Sequence, residues 1–349
     1  MERPRIYKFS PKRPRSRPSA RFLLLAGSCT IFVTFIVQVW LAFLPTQALQ
    51  AASRVVEIPR HLSVSEVAKQ LKGAEVIPSQ TSFLLITALR GSLKSLKAGE
   101  YEFPQGASTV QILKFLETGK VRPHNVTLPE GGMVRDLARI LEHEGLAKAE
   151  DVVRASADPT ILKTLGVDAL NLEGYLFPDT YQFFKGMTIE EMLAKMVRRL
   201  REVVTSELIE EANARGLTLH QLLTMASIVE REAVVPSEHP IISGVFWNRL
   251  RKNMPLQADP TVQYAVGKGY QALTREDLLT DSPYNTYRYA GLPPTPIANP
   301  GKSAIIAAVR PALVKYLYFV SIDNRYHHFS TTIDQHNSAV ARYRLARAK

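Results

Sequence analysis

Apolar positions follow three rhythms along this chain. From residue 22 to 44 they are almost continuous, with no charge and only Gln38 strongly polar. At about 1.5 Å rise per residue, such a helix spans roughly 34 Å, enough for a bilayer core. It is longer than the usual apolar core of a cleaved leader. Trp40 and Phe43 lie near its far end, where interfacial aromatics belong. Between 54 and 128, short alternating runs are interleaved with short helical patterns. Beyond 129, spacing of three and four residues dominates.

Individual elements follow from this pattern. Val55-Val56-Glu57-Ile58 reads as a strand, Ser63 caps a helix through Leu71 that Gly73 closes, and a second helix covers 79–90. Glu100-Tyr101-Glu102-Phe103 alternates as a strand does. Ser108 opens a helix that Gly119 ends, and 121–128 reads as a closing strand. Pro129-Glu130-Gly131-Gly132 marks a turn-rich boundary. Helices are then expected over 134–146, 188–214, 220–233 and 236–253. Residues 281–301 form a long loop rich in Pro, Tyr and Asn. Residues 316–322 and 326–329 pair as a last hairpin before a C-terminal helix from about Thr332. The expected fold class is α+β. It comprises a single N-terminal transmembrane helix (22–44), a small α+β module (54–128) and a mostly helical domain (129–349) with a small β-hairpin.

Charge refines this picture. The net charge is +12, and residues 1–21 hold eight Lys/Arg against Glu2 alone. That tail therefore carries +7 and leaves +5 for the rest. The high pI is largely a property of the tail, so a nucleic-acid partner is not expected. The positive-inside rule places the basic tail, 1–21, in the cytoplasm and residues 45–349 outside it. Cys29 is the sole cysteine, which excludes an intramolecular disulfide. Ala26-Gly27-Ser28-Cys29 faintly resembles a lipoprotein cleavage box, but the apolar run continues 15 residues past Cys29, which favours an uncleaved anchor.

Standard catalytic spacings are absent. There is no H-E-x-x-H and no G-x-S-x-G, and Gly301-Lys302-Ser303 has Pro296 where a phosphate loop needs glycine. Carboxylate chemistry remains. On the 220–233 helix, Leu222, Met225, Ala226, Val229 and Ala233 form an apolar stripe, with Glu230 and Glu232 about 80° to either side. Met225, Ile228 and Val229 neighbour Glu232, so desolvation makes it the better candidate for an acid that stays protonated near neutral pH. On the helix alone, two ordinary boundary glutamates remain the simpler reading.

Longer segments carry more information: Leu172-Glu173-Gly174-Tyr175-Leu176-Phe177-Pro178-Asp179-Thr180-Tyr181, residues 226–233, Phe246-Trp247-Asn248-Arg249-Leu250, Leu256-Gln257-Ala258-Asp259-Pro260-Thr261-Val262, Tyr284-Asn285-Thr286-Tyr287, Gly291-Leu292-Pro293-Pro294, Ile297-Ala298-Asn299-Pro300-Gly301 and Tyr316-Leu317-Tyr318-Phe319-Val320. In this order they resemble the YceG-like (MltG) family of endolytic murein transglycosylases. The resemblance implies a LysM-like first module and a YceG-like catalytic domain. It also implies an acid at Glu232, with Glu230 as a supporting carboxylate, and cleavage of peptidoglycan between N-acetylmuramic acid and N-acetylglucosamine. The product would be a 1,6-anhydro end, with no metal or cofactor needed. Implied partners are glycan strands, the cytoplasmic (inner) membrane and peptidoglycan synthases. Gln257, Asp259, Tyr284, Asn285 and Tyr287 have groups suited to sugars. They are expected either to line the cleft or to serve as a helix cap at Asp259 and a packed turn at 284–287. Glu173, Tyr175 and Asp179 are weaker candidates. The alternative function is a non-catalytic, membrane-anchored, peptidoglycan-binding scaffold.

Overall fold

The computed structural model describes residues 20–45, 53–323 and 325–347. The chain divides into two compact units, with the boundary between Arg122 and Pro123.

The first unit opens with α1 (Ala20–Phe43) and continues through β1 (Arg54–Ile58), α2 (Val64–Gly73), α3 (Gln80–Leu89), β2 (Gly99–Phe103) and α4 (Thr109–Thr118). Local chemistry sets these bounds. Ser63 with Glu66 and Ser108 with Gln111 form capping boxes, and Gly119 ends α4 at φ 70°. β1 and β2 pair antiparallel, with Val56 opposite Tyr101, and the core gathers Ile58, Leu71, Phe83, Tyr101, Phe103 and Leu113. The last turns of α1 pack on this core. Ala42 is fully buried, and the Gln38 side chain accepts hydrogen bonds from Ser82 Oγ (2.6 Å) and Ser79 Oγ (3.1 Å). Farther back, Leu24, Leu25, Ile31 and Phe32 are exposed, while Ser28 and Thr34 return their hydroxyls to carbonyls one turn earlier. Among the described residues no helix is long and apolar enough to cross a membrane. The expected span, 22–44, falls on α1, and the side chains of Phe22, Leu23 and Ala26 lie outside the described residues, as does the basic tail through Ser19.

The second unit is mostly helical. It contains β3 (His124–Thr127), α5 (Val134–His143), α6 (Ala149–Ser156), α7 (Pro159–Thr164), β4 (Thr180–Phe183), α8 (Ile189–Val203), α9 (Ser206–Ala214) and α10 (Leu219–Glu232). After these come α11 (His239–Arg251), α12 (Asp259–Ala265), α13 (Lys302–Val309), the hairpin β5 (Tyr318–Ser321) and β6 (His327–Ser330), and α14 (Ile333–Arg347). Residues 281–301 form no regular element, and β5 pairs antiparallel with β6, both as expected.

Two expectations need correction. The strand foreseen at 121–128 does not close the first module. β3 pairs antiparallel with β4, with Val126 opposite Tyr181, and buries Val126 and Leu128 in the second core. Alternation revealed a strand there but could not name its partner. The helix foreseen at 188–214 breaks between Val203 and Ser206. Val203, Val204 and Thr205 are all β-branched, which lowers helix propensity, and Thr205 takes the extended N-cap conformation that starts α9.

One side chain ties the loop to the rest of this unit. Asn299 is fully buried; its Oδ1 accepts from the Gly174 and Leu176 N–H groups, and its Nδ2 donates to Gly132 O and Glu173 Oε1. Gly174 sits at φ 85°, where an added Cβ would lie 2.4 Å from Pro296. Removing Asn299 orphans buried groups that each cost about 1–3 kcal/mol. Asn299→Ala is therefore expected to lower stability by roughly 3 kcal/mol, to be read as an earlier midpoint in urea unfolding.

Candidate active site

α10 brings its carboxylates to the site. Thr218 and Gln221 cap its start, and residues 222–229 are buried on every side, not along one stripe. The packing partners supply the reason: α9, α11, α12 and α13 all contact it. A helix buried all round must end its apolar run before its chain can reach solvent, and Glu230 and Glu232 stand at that exit.

The two glutamates part there. Glu230 accepts the Gly301 backbone N–H (2.9 Å) at the start of α13, where the helix dipole favours an anion. Burial still pushes its pKa up to about 7, despite that hydrogen bond, and Glu130 adds repulsion. Glu232 opens instead into a cavity of about 290 Å³ that also holds Arg249, Gln257, Asp259 and Tyr287. Among the described residues, none donates a hydrogen bond to the Glu232 carboxyl. Desolvation raises its pKa to about 8, the Asp259 charge adds to this, and Arg249 and Arg231 pull the other way. The negative end of the α10 dipole also disfavours a charged carboxylate there.

Neighbouring residues are held firmly. Arg249 is buried, donating Nε to Leu317 O (2.7 Å) and Nη1 to Leu256 O (2.7 Å) and Gln257 Oε1 (3.2 Å). Gln257 sits at φ 49°, a conformation costly for a residue with a Cβ, and its N–H bonds Thr286 O (3.0 Å). Such strain survives only where the surroundings impose it, and here it turns the amide toward the guanidinium. Tyr287 donates its hydroxyl to Asp259 Oδ1 (2.5 Å). Asp259 is thus no N-cap. Ala258 occupies that position without a side-chain cap, and Asp259 is the first residue of α12.

The cavity gathers Glu232, Gln257, Asp259 and Tyr287 from the expected set and leaves out three members. Glu230 faces Gly301. Asn285 is fully buried, its Nδ2 donating to Leu278 O (3.0 Å) and Thr280 O (2.8 Å), which makes it the core of a turn. Tyr284 bonds Thr295 Oγ1 (2.8 Å) and packs on Tyr264. Glu173, Tyr175 and Asp179 are likewise engaged, by the Val134 N–H, His220 and Arg199. Arg249, Tyr318 and His336 also line the cavity, and none was singled out from sequence. Arg249 lay within a quoted segment, and its signal was a charge inside an otherwise apolar helix. Tyr318 also lay within a quoted segment, Tyr316-Leu317-Tyr318-Phe319-Val320, whereas the C-terminal helix that carries His336 offered no signal. Among the described residues, no His, Cys, Asp or Glu side chains are grouped in threes so as to hold a metal ion.

The model of the YceG-like family matches residues 56–342. The chain belongs to the YceG-like family. It is 35% identical to the endolytic murein transglycosylase of Bacillus subtilis (strain 168), with 82% of this chain and 84% of that protein covered. It is 33% identical to the protein of the same name from Streptococcus pneumoniae serotype 2, over 80% of this chain and 56% of that one, so it spans about half the pneumococcal length. A crystal structure of a yceG-like protein from Listeria monocytogenes matches at 35% identity with a TM-score of 0.58, covering 82% of this chain and 98% of that one. In this YceG-like chain, therefore, the raised carboxyl of Glu232 lies within the region that the family shares.

The pH dependence of stability gives a test of that environment. Below about pH 4.5 the Glu232 carboxyl is protonated in both folded and unfolded chains and contributes nothing. Between there and about 8 the folded state holds a proton that the unfolded state has released, so stability falls as pH rises. Glu232→Gln removes this penalty. Its melting temperature is expected to exceed that of the wild type at pH 8, by on the order of 2 kcal/mol in stability, and to match it at pH 4.

Proposed function

We infer that this protein is an endolytic lytic transglycosylase of peptidoglycan. The observation that carries the reading is the Glu232 carboxyl: among the described residues it has no donor, burial raises its pKa to about 8, and it lies in a cavity with an amide, a second carboxylate and a phenol. A carboxyl that stays protonated at neutral pH can give its proton to a glycosidic oxygen. The bond between that oxygen and C1 of N-acetylmuramic acid then breaks, and the leaving N-acetylglucosamine takes the proton as its hydroxyl. The resulting carboxylate removes the proton of the muramic C6 hydroxyl, whose oxygen closes on C1. The atoms balance without water, and Glu232 returns to its starting state. Arg249 moderates the charge that Glu232 carries between these steps, and Asp259, fixed by Tyr287, faces the positive charge that builds at C1.

A second reading has one observation in its favour. Asp259 shares the cavity with Glu232, and two carboxyls are what a hydrolase uses to add water. The products separate the readings: an anhydro end for the lyase, a reducing end for the hydrolase. Relatives named as transglycosylases argue against a non-catalytic scaffold.

The wider setting is also our proposal. α1 anchors the chain in the cytoplasmic membrane, with the basic tail inside and the rest on the side where peptidoglycan lies. The uncharged run at 22–44, the exposed Leu24, Leu25, Ile31 and Phe32, and the eight preceding basic residues support this. The strand–helix–helix–strand order of residues 54–103 supports a LysM-like role for the first unit. A catalyst that cuts within nascent strands would work beside peptidoglycan synthases and end strand elongation.

The test uses full-length protein in detergent, uncrosslinked glycan strands and mass spectrometry. Anhydro-ended fragments are expected from the wild type, and Glu232→Gln is expected to slow cleavage by about 10³-fold. The wild-type rate is expected to fall as pH rises through about 8, as the acid loses its proton. Reducing ends would mean hydrolysis, and equal anhydro products from both proteins would move the acid to another residue.

A further inference from the structure

The cavity beside Glu232 holds an amide whose orientation is dictated by its neighbour. Arg249 Nη1 donates to Gln257 Oε1 (3.2 Å). A guanidinium has donors only, so the amide oxygen must face it, and Nε2, on the same carbon, must face away. Arg249 is itself fixed: it is buried, and its Nε and Nη1 also donate to Leu317 O and Leu256 O (both 2.7 Å). The Gln257 backbone is held as firmly. Its φ of 49° is imposed between two buried residues, Leu256 and Ala258. Thr286 anchors both sides, its O accepting the Gln257 N–H (3.0 Å) and its Oγ1 the Ala258 N–H (3.0 Å). Yet Gln257 lines the cavity and is exposed. With Oε1 against Arg249, that exposure falls on the stem and on Nε2, which has no hydrogen-bond partner among the described residues. An amide donor is thus oriented and open before any substrate arrives.

We propose that Gln257 selects N-acetylated glycan, its Nε2 donating to the carbonyl oxygen of the acetamido group on the ring seated beside Glu232. The division of labour in the cavity gives the reason. Tyr287 gives its hydroxyl proton to Asp259, whose carboxylate is an acceptor, and the Glu232 proton goes to the glycosidic oxygen in the reaction proposed above. Sugar hydroxyls bring protons of their own, but an acetamido carbonyl only accepts and needs a donor from the protein. That group sits at C2, next to the C1 whose bond breaks, so a ring with C1 at Glu232 brings the carbonyl into the same cavity. The lactyl carbonyl, at C3, is one carbon farther away. A cavity of about 290 Å³ lies at the small end of ligand sites, which suits one ring. A ring without its acetyl group has an amine or ammonium at C2, leaves the amide donor unpaired and is bound less well on that account. This rests on the glycan-cleaving reading for the identity of the ligand.

The test pairs a change in the protein with a change in the sugar. The parent is the full-length Glu232→Gln chain. Its affinity is measured for uncrosslinked, peptide-free glycan oligosaccharides and for the same strands with the acetyl groups of their muramic residues removed. Gln257→Met keeps the length of the side chain and has no N–H; Gln257→Glu has no N–H either but keeps an oxygen for Arg249. Both are expected to weaken binding of acetylated strands about tenfold, with melting temperatures close to the parent's. On deacetylated strands Gln257→Met is expected to change affinity by less than about threefold, and Gln257→Glu to bind at least as well as the parent, its carboxylate facing the ammonium. A purely structural hold on Arg249 would leave Gln257→Glu with the parent's affinity for acetylated strands, and that result overturns the proposal. Equal loss by Gln257→Met on both kinds of strand overturns it too. Should Gln257→Met fail to fold, Gln257→Glu decides by itself. The expected pattern in a protein whose wild type does not cut glycan upholds the proposal and removes only the cleavage reading. No binding of either strand by the Glu232→Gln chain overturns the proposal, while the wild type's cleavage products judge that reading separately.

Discussion

Burial of α10 on every side is the constraint on which the second unit depends. A fully enclosed helix has to satisfy its own polar side chains. Thr224 bonds back to His220 O, and Ser227 both donates to Thr224 O and accepts the Ile297 N–H. That last bond begins to organise the long loop. Residue 297 leads to Asn299, which joins the 131–133 turn to the 172–176 segment, and then to Gly301, whose N–H meets Glu230. The loop has no regular structure, yet its backbone is fixed by groups from α10 and Asn299. The apolar run of α10 thereby sets where the loop lies and where the cavity opens.

The same enclosure explains the chemistry available at the helix end. The last turn of any helix has carbonyls to spare and partial negative charge. A glutamate there is poorly placed as an anion unless something donates to it. Glu230 receives an N–H from the start of α13; Glu232, two residues on, points to the other side of α10 and receives none among the described residues. The difference between a structural and a reactive carboxyl is therefore about 200° of rotation about one helix.

Parts of this were legible in the sequence. The capped helices of the first unit, α10 with its two glutamates, the unstructured 281–301 loop and the final hairpin all carried local signals: a serine before an apolar run, a glycine after it, alternation around Asp323. The apolar neighbours of Glu232 pointed to desolvation, and the resemblance singled out the same residue. The rest depended on contacts distant in sequence. β3 looked like the end of the first module because nothing in His124–Thr127 records that Thr180–Phe183 will pair with it. Asn285 and Tyr287 are two residues apart and chemically equal candidates, yet one fills a turn and the other faces a cavity. Spacing cannot separate them, because the partners that decide are Leu278, Thr280 and Asp259.

Four glutamates of the second unit show how this fold divides its acidic groups. Glu173 takes the first N–H of α5 and the Asn299 amide. Glu230 takes the Gly301 N–H. Glu238 takes both the backbone N–H (2.9 Å) and the Nδ1 (2.7 Å) of His327, joining the segment after α10 to β6. Each of these three spends its lone pairs on joining elements and has little left for a visiting molecule. Glu232 alone of the four receives no donor, and the residues around it are busy with one another: Arg249 with carbonyls and Gln257, Tyr287 with Asp259. A carboxyl without a donor among the described residues, beside neighbours already engaged with one another, keeps its proton available for the role proposed for it. Burial raises Glu173 as far as Glu232, so what sets Glu232 apart is its place in the cavity without a donor among the described residues, and on that the proposed acid role rests.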